Sequence, residues 1–168
     1  MKLVIIEPLG VEKEKLLSMA QEALSGRMEI VYYDTRTTDT NELIQRGEDA
    51  DVIVVSNLSL NGDVIRGCRN LKLLSVAFTG VDHIDMAACR ARGITVCNCA
   101  GYSTCAVADL VFGLLISLYR NIIPCDSVCR RGGTKDGLVG FELEGKTFGV
   151  IGTGAIGLRV AAIAQAFG

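Results

Sequence analysis

The sequence carries no surplus of charge, a single histidine, no repeat and no low-complexity tract. Its 17 basic and 19 acidic residues leave a net charge of −2 and a pI near 5.4. The basic residues are scattered, with only Arg130-Arg131 adjacent, so there is no electrostatic footprint for nucleic acid or an anionic membrane. With one histidine, His83, the chain is poorly supplied for a metal centre. Cys97-Asn98-Cys99 with Cys105 lacks paired-knuckle spacing and finds no further histidine, so these thiols are expected to be small buried residues at a strand end. Cys125 and Cys129 fall one helical turn apart, again without two further ligands.

A long apolar run is missing too. Residues 106–119 are almost wholly apolar, but Asp109 interrupts them and they fall short of the roughly 20 residues a span requires. A buried helix is expected there. At the N-terminus, Met1-Lys2 leads straight into Leu3-Val4-Ile5-Ile6, a run too short for a signal core. The seven cysteines, an odd number, are therefore expected to be reduced thiols in a cytoplasmic protein.

What is present is an alternation. Runs rich in Val, Ile and Leu occur at residues 2–7, 29–33, 52–56, 71–77 and 94–97, without period-two patterning. Strands buried on both faces of a parallel sheet read this way. Between them, Leu16, Leu17, Ala20 and Leu24 keep helical spacing and Gly26 supplies a stop. Thr38 or Asp39 caps a helix running to Gly47, and residues 85–92 form another that Gly93 ends. Repeated strand–helix–strand units imply right-handed crossovers, so residues 1–99 are expected to form one flavodoxin-like α/β domain. From Ser103 to about Ile122 the buried helix follows, with Ser103 or Thr104 as cap and Pro124 just past its end. A solvated loop, residues 130–137, leads to a new βα unit. Its strand is expected at 146–151, its turn at 152–157 and its helix at 158–167.

That turn, Gly152-Thr153-Gly154-Ala155-Ile156-Gly157, matches the dinucleotide fingerprint. Gly152 permits the tight turn, Gly154 leaves room for a pyrophosphate, and Gly157 lets helix and strand pack closely. The phosphates would meet free N–H groups at the helix N-terminus. The acidic residue that binds the ribose, about 20 positions further on, falls past Gly168, which leaves NAD and NADP both open.

From Ser75 to Asp85 (Ser-Val-Ala-Phe-Thr-Gly-Val-Asp-His-Ile-Asp) the chain resembles the D-isomer-specific 2-hydroxyacid dehydrogenases. The likeness continues through Gly93-Ile94-Thr95-Val96-Cys97-Asn98, Ala106-Val107-Ala108-Asp109 and residues 145–154. Ordered and correctly spaced, these motifs cover essentially the whole chain from residue 2. The resemblance implies a substrate domain over 1–99. It implies an interdomain helix, a loop and an incomplete Rossmann domain over 100–168. It also implies NAD-dependent interconversion of a 2-hydroxy acid and its 2-oxo acid, in a homodimer. Thr79, Gly80 and Val81 match the loop whose backbone amides hold the substrate carboxylate, an anion nest by its chemistry. Asn57 is expected to reach the substrate from the facing loop. Ala155 and Ile156 match positions whose amides meet the pyrophosphate. Val107 matches a position facing the nicotinamide, and reads equally well as a core valine. Asp109 stands where the family usually has Glu.

The catalytic His, Glu and Arg of the family lie after the glycine motif, so no catalytic residue is expected within residues 1–168. His83, at a helix start, is expected to serve local hydrogen bonding. The chain thus reads as the front of a two-domain dehydrogenase that is inactive by itself. The alternative is a naturally short, non-catalytic binding or regulatory protein on the same fold. A phosphoacceptor module is disfavoured. It needs Asp at the end of the third strand, where Ser56-Asn57 stand, and an acidic pair after the first, where only Glu7 is found.

Overall fold

The computed structural model describes residues 1–168. The chain divides into two compact units, Met1–Ala100 and Gly101–Gly168.

The first unit is a parallel sheet of five strands: β1 (Lys2–Ile5), β2 (Glu29–Tyr32), β3 (Val52–Val55), β4 (Leu73–Val76) and β5 (Thr95–Asn98). Their order is β2-β1-β3-β4-β5, the flavodoxin-like arrangement. Each of the five apolar runs expected as a strand in this unit is one, with its ends shifted by a residue or two. Helices α1 (Lys13–Leu24), α2 (Thr40–Gly47), α3 (Gly62–Gly67) and α4 (Met86–Ala91) make the crossovers. Each stops or starts for a local reason. Ser25 and Gly26 both take left-handed backbone after α1. Asp39 accepts the Glu42 N–H to cap α2, and Gly93 turns the chain after α4 with φ +66°. Helix α3 has no counterpart in the sequence reading. Its six residues are too few for a periodic signal, but Asn61 caps it by accepting the N–H groups of Asp63 and Val64.

The core of this unit lies on one sheet face, where Val4, Ile53, Val55, Leu74 and Val76 stand in register across the strands and pack with Leu43, Val64, Ile65 and Cys89 of the helices. Two basic side chains tie its loops down from inside. Arg46, only 6% exposed, donates to the carbonyls of Ile6 (3.0 Å) and Thr35 (2.6 Å) and lies over the Tyr33 ring. Arg92 donates to the carbonyls of Ile65, Cys68 and Arg69, satisfying the end of α3.

The second unit contains α5 (Thr104–Tyr119), α6 (Ile122–Arg130) and α7 (Ala155–Gln165). Three expectations are corrected here. The helix expected to run to Ile122 stops at Tyr119. Asn121 takes left-handed backbone (φ 52°) and a second helix begins at a 59° bend. Pro124 sits in the first turn of that helix, where its missing N–H costs nothing. Nor is α5 buried. Only Ala108 and Phe112 are, packed on Val160 of α7, while Leu110, Leu114 and Leu118 stand more than half exposed. Finally, residues 146–151 form no strand. A strand is defined by its ladder, and this segment has no partner to pair with. Its apolar side chains therefore split between solvent (Ile151) and a stack of Phe148 and Phe167 against Phe112. No single helix is long and apolar enough to cross a membrane.

Candidate functional site

In a parallel sheet of this topology, ligands bind outside the carboxyl ends of the strands, at the β1/β3 point where the winding reverses. Four loops of the first unit converge there. The loop after β4 holds Thr79, Gly80 and Val81, and that after β3 holds Asn57. Short backbone bonds tether the two: Ala77 donates to the Val55 carbonyl, Leu60 to His83, and Asp85 to Leu60. From the next strand, the Asn98 Nδ2 donates to the Thr79 carbonyl at 2.7 Å, turning that carbonyl to one side. The half-buried amides of Gly80 and Val81 then donate no hydrogen bond within the chain. Two successive unpartnered N–H groups beside a glycine are the makings of an anion nest.

Asn57 is exposed, as a ligand-facing residue must be, but it is not alone. Its Oδ1 accepts from Nη1 of Arg36 at 2.8 Å. The Nε of Arg36 lies 3.4 Å from Oε2 of Glu7, a carboxylate that is 1% exposed. Glu7 Oε1 accepts the backbone N–H groups of Ser56 (2.8 Å) and Leu58 (3.0 Å), on either side of Asn57. Its Oε2 is buried without a hydrogen bond of its own. Sequence reasoning missed both Glu7 and Arg36 as site residues. The one available signal was a charged Glu-Pro directly after a buried strand.

His83 corrects a further expectation. Its ring stands edge-on to Phe78, and its Nε2 is buried with no hydrogen-bond partner. Its backbone carbonyl instead accepts the N–H of Leu60, across the two loops. Cys97, Cys99 and Cys105 correct another: all three are exposed rather than buried. For Cys97 the reason is topological, because β5 is an edge strand. By contrast Cys68 is fully buried, and burial pushes its thiol up to about 11. All seven cysteines are unpaired.

The second unit carries the glycine-rich turn. Gly152 has φ +94°, which a side chain would strain, and a Cβ on Gly157 would collide with the Gly152 carbonyl. Both glycines are therefore demanded by the fold. Gly154 is different: it is extended, and a Cβ there would meet nothing within 4 Å. The fold does not need that glycine, so the space beside it is available to something other than the chain. Helix α7 begins next, with no side-chain cap and no acidic residue in its first turn. The amides of Ala155, Ile156 and Gly157 are left for an anion. These residues fit a dinucleotide pyrophosphate. Val107 lies on α5 beside the buried Ala108 but is itself 36% exposed, so it is not a core valine. Asp109 is exposed.

Residues 3–164 match the family described as D-isomer specific 2-hydroxyacid dehydrogenase, catalytic domain. The chain is 37% identical over 169 residues to a D-3-phosphoglycerate dehydrogenase of Methanocaldococcus jannaschii, covering 99% of this chain and 30% of that protein. To a hydroxypyruvate reductase of Thermotoga maritima it is 37% identical over 164 residues, covering 96% and 51%. Among solved structures, it resembles an acyclic imino acid reductase in complex with NADPH and D-Arg at a TM-score of 0.87. That pair shares 33% identity over 99% of this chain and 53% of the other. D-lactate dehydrogenase from Aquifex aeolicus, complexed with NAD and lactic acid, gives 0.81 and 29% over 99% and 49%. The chain thus spans about half, or less, of the length of these relatives.

Proposed function

The chain belongs to the D-isomer specific 2-hydroxyacid dehydrogenases, and from that membership we propose that it supplies the recognition half of an NAD(P)-dependent oxidoreductase interconverting a D-2-hydroxy acid and its 2-oxo acid. The observation that carries this reading is the pair of unpartnered amides at Gly80 and Val81, at the carboxyl edge of the sheet. They hold the substrate carboxylate, Gly80 permits its close approach in the loop that Thr79 begins, and Asn57 lies on its distal side. In the second unit, Gly152, Gly154 and Gly157 shape the turn. The amides of Ala155 and Ile156 meet the pyrophosphate, and Val107 borders the nicotinamide. Bound NAD, or NADP, supplies the hydride acceptor or donor at the nicotinamide C4.

By themselves, residues 1–168 bind and orient but do not turn over. A general acid–base at the reacting carbon has to reach the substrate, and the only histidine, His83, has its Nε2 buried and unpartnered. The working enzyme is a homodimer in this reading, which the exposed Leu110, Leu114 and Leu118 stripe on α5 supports. Seven unpaired thiols support a cytoplasmic setting.

The test is an amide NMR titration of the purified chain, with pyruvate and then with NAD. The Gly80 and Val81 signals should move with pyruvate, and those of Ala155 and Ile156 with NAD. If Gly80 and Val81 stay silent, the carboxylate assignment is lost. Oxidation of NADH by the chain with any of a panel of 2-oxo acids would overturn the claim that it does not turn over.

A further inference from the structure

The proposed reading leaves one assembly unexplained: a surface arginine held in place by a buried carboxylate. Glu7, Arg36 and Asn57 leave the sheet at the ends of β1, β2 and β3, which are neighbours in space. Glu7 is fully enclosed and is fixed by two backbone amides through Oε1. A buried carboxylate is costly unless it is hydrogen-bonded and paired. Here Oε2 has no hydrogen bond and faces the Arg36 Nε. The backbone around Arg36 is fixed as well, because Arg46 takes the carbonyl and hydroxyl of Thr35. With Nε on Glu7 and Nη1 on Asn57, the guanidinium is oriented rather than mobile. It remains 50% exposed, and Nη2 makes no hydrogen bond within the chain.

A guanidinium held this way presents paired donors to a planar or tetrahedral anion. Its position gives the distance from the Gly80–Val81 nest. Adjacent strands lie about 5 Å apart, Asn57 follows the strand next to β4, and Arg36 docks on Asn57. A ligand whose carboxylate sits on the nest extends past Asn57 by one short carbon chain before it meets Arg36. We propose that Arg36 is a specificity-determining residue that binds a second anionic group at the far end of the substrate. The substrate is then a 2-oxo or 2-hydroxy acid with a distal carboxylate or phosphate, not a simple monoacid. Glu7 acts as the positioning residue. This rests on the assignment of the nest to the substrate carboxylate.

The experiment is an NMR titration of the 168-residue chain with 2-oxobutyrate, 2-oxoglutarate and 3-phosphoglycerate, following the Gly80 and Val81 amides and the Arg36 Nε–H signal. All three acids should move the amides. Only the two acids that carry a second anionic group should move Arg36, and at least one should bind about 10-fold or more tighter than the monoacid. Whichever is tighter identifies carboxylate or phosphate as the distal group. Arg36→Met should reduce that preference to nearly nothing while the amide response survives, and Arg36→Lys should retain part of it. Equal affinity for all three acids, or a preference that Arg36→Met leaves intact, overturns the proposal and spares the nest. Silence of Gly80 and Val81 to every acid overturns the nest itself, and the proposal with it.

Discussion

Helix α7 passes so close to the turn before it that a Cβ on Gly157 would overlap the carbonyl oxygen of Gly152, whereas two residues from Gly152 a Cβ on Gly154 would touch nothing. The two substitutions should therefore behave differently. Gly157→Ala should destabilise the second unit by about 1–3 kcal/mol, as overpacking does. Gly154→Ala should change its stability by no more than about 0.5 kcal/mol, its backbone being open to any residue. Amide exchange along α7 reads both. Equal costs would mean that Gly154, too, is needed by the fold and holds no space for a ligand.

Glu7 should matter to folding as well as to Arg36. Removing it leaves the Ser56 and Leu58 amides without their acceptor. Glu7→Ala should cost about 2–4 kcal/mol of the first unit's stability. Glu7→Gln, which keeps an acceptor oxygen, should cost less than half as much. Denaturant unfolding measures both, and an alanine variant as stable as the parent would remove Glu7 from the scaffold.

At the amino ends of the strands, Asp51 links the starts of β1, β3 and β4. It accepts the backbone N–H of Lys2 at 2.9 Å and the Lys72 ammonium at 2.6 Å. The Lys72 hydrogen bond, and then that of Lys2, hold its carboxyl below the usual range. A depressed folded value contributes stability above the unfolded pKa, and that contribution is lost as pH falls through the folded one. The gap in melting temperature between the parent and Asp51→Asn should thus be flat from about pH 7 to 5. It should close below about pH 4. A gap that widens with acid would contradict the pairing.

The thiols should separate by burial. Cys68 is pushed up to about 11, and burial also raises Cys89. Cys97, Cys99, Cys105 and Cys129 are exposed. Brief alkylation at about pH 8 should label those four and spare Cys68 and Cys89 until denaturant is added, as peptide mass spectrometry would show. Labelling of Cys68 in the native chain would mean that its helix–sheet seam opens readily.

Much of the fold was legible because its signals are local. Unbroken Val/Ile/Leu runs gave all five strands, and Asp39, Gly26 and Gly93 marked helix ends by their own side-chain or backbone chemistry. Asn57 and the 79–81 loop were singled out through motif order, and the structure places both at the carboxyl ends of the strands. What escaped were features with weak local signals. Helix α3 is too short to show a period. The break at Asn121 is a single left-handed residue, and Pro124 suggested a helix end where a helix in fact begins.

The sequence by itself determined the elements, the glycines that the α7 turn demands and the family to which the chain belongs, because each is written in contiguous residues. Only the tertiary structure decided that residues 7, 36 and 57 meet. Their encounter depends on the strand order, which sets the ends of β1, β2 and β3 side by side although 50 residues separate the first from the last. The structure also decided that residues 146–151 stay outside any ladder and that α5 shows leucines to solvent. Pairing and burial are properties of what lies opposite a segment, and no segment encodes its own neighbours.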